Sequence, residues 1–301
     1  MLFNNLRGGV FVHNHAFPRA DFSAFLRSRD RGLAARHVAL VEQLPDEPTV
    51  MDLHRAAEST GDAGLRRLCY EYLPLYFGRR HGDPSRPWNR FSISVRNPDG
   101  TKALRYEGNW RDVFQNWEAL TLSFPGFLPS VIAKFVNAST VDGFNPYRMT
   151  RDGVDWEVLD PRDPWSGIGY WGDHQIVYLL RLLESMRRHV PGGIEQLLGQ
   201  EIFSYADVPY RIKPYAEMLD DPSATIAFDE SQEARVAERV AARGFDGKLV
   251  HTAGGAVHHV SLLDHRTWGI DRGAGGEERI DRNDIVRTRS PVERGLGVHP
   301  E

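Results

Sequence analysis

The sequence predicts a mainly α fold, and three observations predict it. Four segments within the first ninety residues carry apolar side chains at helical spacing. HQIVYLLRLLESMRR, from His174 to Arg188, carries the clearest apolar stripe of the chain. Clear alternation of the strand type is confined to residues 91–106.

The elements follow in order. Asp21 is the expected cap of FSAFLRSR, where Phe22, Phe25 and Leu26 share a face. RGLAARHVALVEQL reads as one helix with Leu33, His37, Leu40 and Val41 on one side, stopping before Pro45. TVMDLHRAAEST is a third helix. DAGLRRLCYEYLPLYFGRR is a fourth, with Leu65, Leu68, Cys69, Tyr72 and Leu73 in register and Pro74 bending or ending it. FSISV, NPDGT and KALRY then read as a small β-hairpin near 91–106. Helices return in RDVFQNWEALTLSF and FLPSVIAKFVNAS. Residues 140–172 form a long irregular stretch rich in Gly, Pro, Asp and Trp, the kind of loop a compact domain keeps for function. Asp173 is the expected cap of the strongest helix, whose stripe is Ile176, Leu179, Leu180 and Leu183. FSYADVPYRIKPYAEML is an aromatic-rich connector, and a last helix runs from Asp229 to Gly244. Residues 269–301 contain no aromatic residue and no sustained period, so they are expected to be a disordered tail behind a domain of residues 1–268.

Composition narrows the function. A formal charge of −4 argues against a general nucleic-acid binder. No stretch approaches the ~18–20 apolar residues that a membrane helix requires, and the N-terminus lacks the apolar core of a signal peptide. The expectation is a cytoplasmic chain with neither a nucleic-acid nor a membrane partner. Cys69 is the single cysteine, which suits a reducing compartment. His13 with His15, and His258 with His259, lack the spacing of a zinc site, so no metal and no cofactor are expected. The oligomeric state is not legible.

Two constellations carry chemistry. YEGNWRDVFQNWEAL places Trp110, Arg111 and Asp112 at a helix start. Arg offers a planar fork of donors and Asp offers acceptors, a set that grips adjacent sugar hydroxyls while Trp stacks on the ring. The second, residues 135–175, sets Asp142, Asp152, Asp155, Glu157, Asp160, Asp163 and Asp173 among Trp156, Trp165, Tyr170 and Trp171. Aromatic faces beside hydrogen-bonding groups suit sugars, and cleaving a glycosidic bond takes two carboxyl groups. Most of these acids read as solvated loop residues. Glu157 and Asp173 stand out because each follows a Trp closely and Asp173 opens the strongest helix.

Taken in this order, GNWRDVFQNWEAL, GFNPYRMTRDGVDWEV and YWGDHQIVYLLRLLE resemble the six-hairpin glycosidases. Those are (α/α)6 toroid barrels that include amylo-1,6-glucosidase and cellobiose-phosphorylase-like enzymes. The resemblance spans roughly 105–215. It implies that Arg111 and Asp112 bind sugar hydroxyls, with Trp171 and His174 on the same rim as Asp173. The implied activity is hydrolysis of an oligosaccharide or polysaccharide with inversion, and phosphorolysis or carbohydrate binding alone are the alternatives. The later Trp-Asn-Asp type motif that supplies the general acid in the phosphorylase-like branch has no counterpart in this sequence. The expectation is therefore a complete or incomplete (α/α)6 barrel in a chain that is a piece of a larger enzyme, with a tail that departs from it near Trp268.

Overall fold

The computed structural model describes residues 8–76, 95–108, 110–141, 148–156, 160, 162 and 175–264. Its architecture is mainly α, with three small antiparallel sheets, and the described helices do not close into a barrel. None of these helices is long and apolar enough to cross a membrane.

The chain enters through a two-residue strand β1 (Val10–Phe11). Five helices follow: α1 (Arg19–Arg29), α2 (Arg31–Arg36), α3 (Val38–Gln43), α4 (Val50–Glu58) and α5 (Ala63–Glu71). Strand β2 (Leu75–Tyr76) then returns to pair with β1, Val10 opposite Tyr76 and Phe11 opposite Leu75. Phe22, Phe25 and Leu26 are buried as their spacing predicts. With Phe17, Leu33, Leu53, Leu65, Leu68, Cys69 and Tyr72 they form a core of their own. Thr49 and Asp52 close a capping box on α4, and Asp62 accepts from the Leu65 amide to cap α5.

Two expectations fail here for physical reasons. Asp21 does not cap α1; the helix starts two residues earlier, behind Pro18, and the Asp21 carboxylate accepts instead from Tyr72 Oη at 2.7 Å. The single helix expected over residues 31–44 is two helices broken at His37, whose ring meets Asp62 at 2.8 Å. The expected hairpin near 91–106 is present within residues 95–106. Arg96 bridges Lys102 around a turn that ends at Gly100, whose φ of 83° favours glycine.

Strand β3 (Glu107–Gly108) leads into α6 (Trp110–Ser123), a 3₁₀ turn at Pro125–Phe127, and α7 (Leu128–Asn137). Helix α7 is the most enclosed helix, with Leu128, Val131, Ile132, Phe135 and Val136 in the larger core beside Trp117. The long stretch after it contains a hairpin that the sequence reading missed, β4 (Arg148–Thr150) and β5 (Gly153–Asp155), with β3 paired to the outer side of β4. Helix α8 (Gln175–His189) turns Leu179 and Leu183 of the expected stripe toward the core, together with Leu182 and Met186, whereas Leu180 is exposed. After α9 (Gly193–Leu198), the connector resolves into β6 (Tyr210–Ile212), α10 (Tyr215–Asp220) and β7 (Ile226–Phe228). Helix α11 (Glu230–Arg243) is capped by Asp229 and stops at Gly244 as expected, before a 3₁₀ turn at Phe245–Lys248. The tail expected at 269–301 lies outside the described residues.

Candidate functional site

The register of the β3–β4–β5 sheet brings the strand that leads into α6 and the strand that leads into Trp156 to one edge. Gly108 pairs with Met149 and Arg148 pairs with Asp155, so the end of β3, the start of β4 and the end of β5 share one edge. From that edge the chain runs on one side into Trp110, Arg111 and Asp112 of α6. On the other side it runs into Trp156. Glycine is required where β3 meets the helix: a Cβ on Gly108 would stand 2.8 Å from the Val113 side chain.

Period-2 alternation sorts this sheet into two faces. Met149 and Val154 are buried in the core. The other face carries a ladder of charge. Arg148 donates to Glu107 Oε1 at 3.1 Å and to Asp155 Oδ2 at 2.8 Å. Lys248, arriving from the 3₁₀ turn after α11, donates to Asp155 Oδ1 at 2.9 Å. Burial alone would raise the Asp155 pKa, but Lys248, Arg148 and the Trp156 amide outweigh it and hold the carboxyl below its ordinary value. Asp155 is thus a fixed anion that orients two cations.

Trp156 is 4% exposed. Its Nε1 donates to Glu233 Oε2 on α11 at 3.1 Å, and the Lys248 ammonium lies 4.7 Å from its ring centroid. The indole is therefore pinned at its edge and covered on a face in this conformation. Trp110, Arg111 and Asp112 open α6, and their side chains lie outside the described set. Glu157, Trp171, Asp173 and His174 also lie outside the described residues. Trp117 belongs to the core and donates from Nε1 to the Gly8 carbonyl at 2.9 Å.

A second cluster escaped the sequence reading. Arg29 on α1, Arg67 and Glu71 on α5 and Asp246 in the 3₁₀ turn form a closed ring of buried ion pairs. Arg29 meets Glu71 and Asp246 at 2.6 Å each, and Arg67 meets Glu71 at 2.7 Å and also pairs with Asp246. Asn137 on α7 donates to Glu71 at 2.7 Å. Lys134 lines the adjoining recess, whose 10 Å³ is about the space one water requires. It donates to the Arg151 carbonyl at 3.0 Å. Burial and the neighbouring Arg29 push the Lys134 ammonium down to about 7.

Chemistry decides what this ring does. Burial opposes ionisation of Glu71 and Asp246, but the two guanidiniums overcome it and hold Glu71 well below the usual carboxylate range and Asp246 below its ordinary value. A general acid for glycoside cleavage needs the opposite shift. The ring is therefore a structural clasp. Its signal in the sequence is weak, since its members are spread from position 29 to position 246.

The histidine pairs do not converge. His13 faces Glu47 at 3.2 Å, His15 packs on Phe124 and Phe127, and His259 sits against Arg67. Among the described residues, no group of three His, Cys, Asp or Glu side chains is placed to hold a metal ion.

Curated proteins give no match to this chain. Residues 11–74 match the family model described as glycoside hydrolase family 149 insertion domain 1. The geometry of that stretch suits an inserted unit. Its two ends are joined by the β1–β2 pairing and by the Val12 amide donating to the Pro74 carbonyl at 3.1 Å, and its second core is drawn wholly from its own residues. The match covers about a fifth of the chain and supports a tie to a glycoside hydrolase family.

Proposed function

We propose that the chain is carbohydrate-active and cleaves an oligosaccharide or polysaccharide by inverting hydrolysis, with its sugar site at the shared edge of the β3–β4–β5 sheet. The observation that supports this reading is the register that sets the end of β3, just before α6, beside the end of β5, just before Trp156. The match of residues 11–74 to a glycoside hydrolase family's insertion domain supports the substrate class.

In this reading Arg111 and Asp112 grip hydroxyls, Trp110, Trp171 and His174 line the sugar path, and the buried Trp156 packs behind it. Glu157 and Asp173 are the acid and base pair. Inversion places such a pair about 6.5–9.5 Å apart, leaving room for the attacking water. Helices α6, α7 and α8 belong to a six-hairpin (α/α)6 framework, and residues 11–74 are a unit set beside it. The single cysteine, Cys69, fits the reducing compartment that this reading assigns, the cytoplasm.

The test is incubation of the full chain with a panel of oligosaccharides, with and without inorganic phosphate. Reducing-end release without phosphate supports hydrolysis. A sugar phosphate formed only in the presence of phosphate replaces it with phosphorolysis. Tryptophan quenching without turnover leaves a binding role, and neither signal on any sugar overturns the reading.

A further inference from the structure

The side chains of the turn between β4 and β5 are held from α1. Arg151 donates from Nη2 to Asp21 Oδ1 at 2.9 Å and to the Asp21 carbonyl at 3.1 Å. Ser28 donates from Oγ to Asp152 Oδ1 at 2.7 Å. Both partners stand on α1, within the stretch that matches the insertion domain. Asp21 is itself fixed by Tyr72 Oη from the end of α5, and the Arg151 guanidinium lies 5.6 Å from the Phe25 ring centroid. From the other side comes Lys134, donating to the Arg151 carbonyl. The strands β4 and β5 have only three residues each and their third strand, β3, only two, so the sheet has few ladder bonds of its own to fix the turn.

We infer that the 11–74 unit is a positioning element for the β4–β5 hairpin, with Asp21 and Ser28 anchoring its turn so that the sheet edge at Gly108, Arg148 and Asp155 keeps its geometry. Asp21 and Ser28 are positioning residues; they act on sugar binding through the hairpin. The link to sugar binding rests on the proposed function. The anchoring itself does not.

Three features argue for the anchor over an incidental contact. It uses a charge-assisted pair with a fixed acceptor, which is stronger than a neutral hydrogen bond. Arg151 and Asp21 are largely enclosed, at 12% and 19% side-chain exposure, so solvent screens the pair little. The turn also closes onto β3, since the Arg151 amide donates to the Tyr106 carbonyl at 3.1 Å. Displacing the turn therefore displaces the whole sheet.

Hydrogen–deuterium exchange of the full-length chain tests the anchor, with an oligosaccharide titration of tryptophan fluorescence beside it. In the double variant Asp21→Asn, Ser28→Ala, amides of residues 148–155 should exchange about tenfold faster, the scale of one charge-assisted bond lost. Sugar affinity should fall with it. Ser28→Ala alone is the milder variant should the double one not fold, and Asp21→Glu, which keeps the carboxylate, should restore most of the protection. Asp62→Ala weakens the α5 cap within the same unit without touching the hairpin, and it should leave residues 148–155 as they were. Unchanged exchange in the double variant overturns the inference, as does equal loss of protection in Asp62→Ala. Faster exchange with unchanged sugar affinity overturns the positioning role. If the wild-type chain binds no sugar, the proposed function falls and the exchange result alone decides the anchor.

Discussion

Arg29 donates from Nε to Asp246 Oδ1 at 2.6 Å across 217 positions of sequence, and both side chains are shut off from solvent. This contact fastens the 11–74 unit to the turn after α11. Removing one partner of a buried pair leaves the other charge stranded, which costs about 3–5 kcal/mol. Asp246 serves two guanidiniums, so Asp246→Ala should destabilise by at least the upper part of that range. Denaturant unfolding measures it. The exposed pair Arg162–Asp160 provides the contrast, and Arg162→Ala should leave the midpoint where it was. A similar midpoint for both variants would remove the clasp from the account of stability.

Acid should act through buried histidines as well as through the clasp. Burial lowers His54 to about 4 and His259 to about 3, from an ordinary 6.5. Between those values the unfolded chain binds protons that the folded chain does not, so stability is complete above pH 6.5 and declines as the pH falls toward 3. The His54 contribution alone is on the order of 3 kcal/mol. The folded-state pKa values of Glu71 and Asp246 lie below their unfolded values, so their stabilisation is present above the carboxylate range and is lost at still lower pH. Urea midpoints measured from pH 8 to pH 4 should drop before carboxylates titrate, and His54→Phe should flatten the upper part of that drop. A flat profile down to pH 5 would contradict this.

Lys134 should behave in the opposite sense to a salt-bridging lysine. Its folded pKa lies below its unfolded value, so folding disfavours the ammonium, and the penalty is present in full below about 7 and fades as the pH rises toward 10.5. Lys134→Met should therefore be more favourable to stability at pH 6 than at pH 9.5. Equal effects at the two pH values would show that the amine titrates normally.

Asp112→Ala tests the sugar grip. In the proposed site the carboxylate accepts from sugar hydroxyls beside Arg111, and its loss should weaken oligosaccharide binding at least tenfold, about 1.4 kcal/mol or more. Titration of intrinsic fluorescence gives the answer. Unchanged affinity would take Asp112 out of the site.

Much of the helical frame was legible because it is written locally. Apolar residues three and four apart placed Phe22, Phe25, Leu65 and Leu68, and Asp62, Asp229 and Gly244 marked helix ends. The small sheets were not legible to the same degree. Strands of two or three residues give period-2 alternation no room, and β4–β5 left only Asp152–Gly153 between Met149 and Val154 as a turn signal. The ion clasp was illegible for a different reason. Arg29, Arg67, Glu71 and Asp246 each look like solvated charges until the fold brings them together, and no local pattern encodes a partner about two hundred positions away. The two candidate clusters could be read from the sequence, while the pairing that sets the strands leading to Trp110 and Trp156 at one edge could not, because it depends on the register of β3 against β4 and of β4 against β5.

Gly244 provides the sharpest check on how the 11–74 unit sits. It ends α11 with φ of 123°, and a Cβ there would stand 2.5 Å from the Ser28 carbonyl oxygen and 2.6 Å from that of Arg29. Both oxygens belong to the last turn of α1, and backbone cannot step aside as a flexible side chain can. Gly244→Ala should therefore combine backbone strain with overpacking, about 2–4 kcal/mol together. Gly100 has φ of 83° and nothing within 4 Å of its hypothetical Cβ, so Gly100→Ala carries the conformational part alone, about 1 kcal/mol. Thermal unfolding of the two variants separates the terms. The Gly244 variant should melt clearly lower, because only there does the methyl group push α1, with Ser28 and Arg29, away from the turn that holds Asp246. Equal melting points would mean that α1 does not rest on that turn.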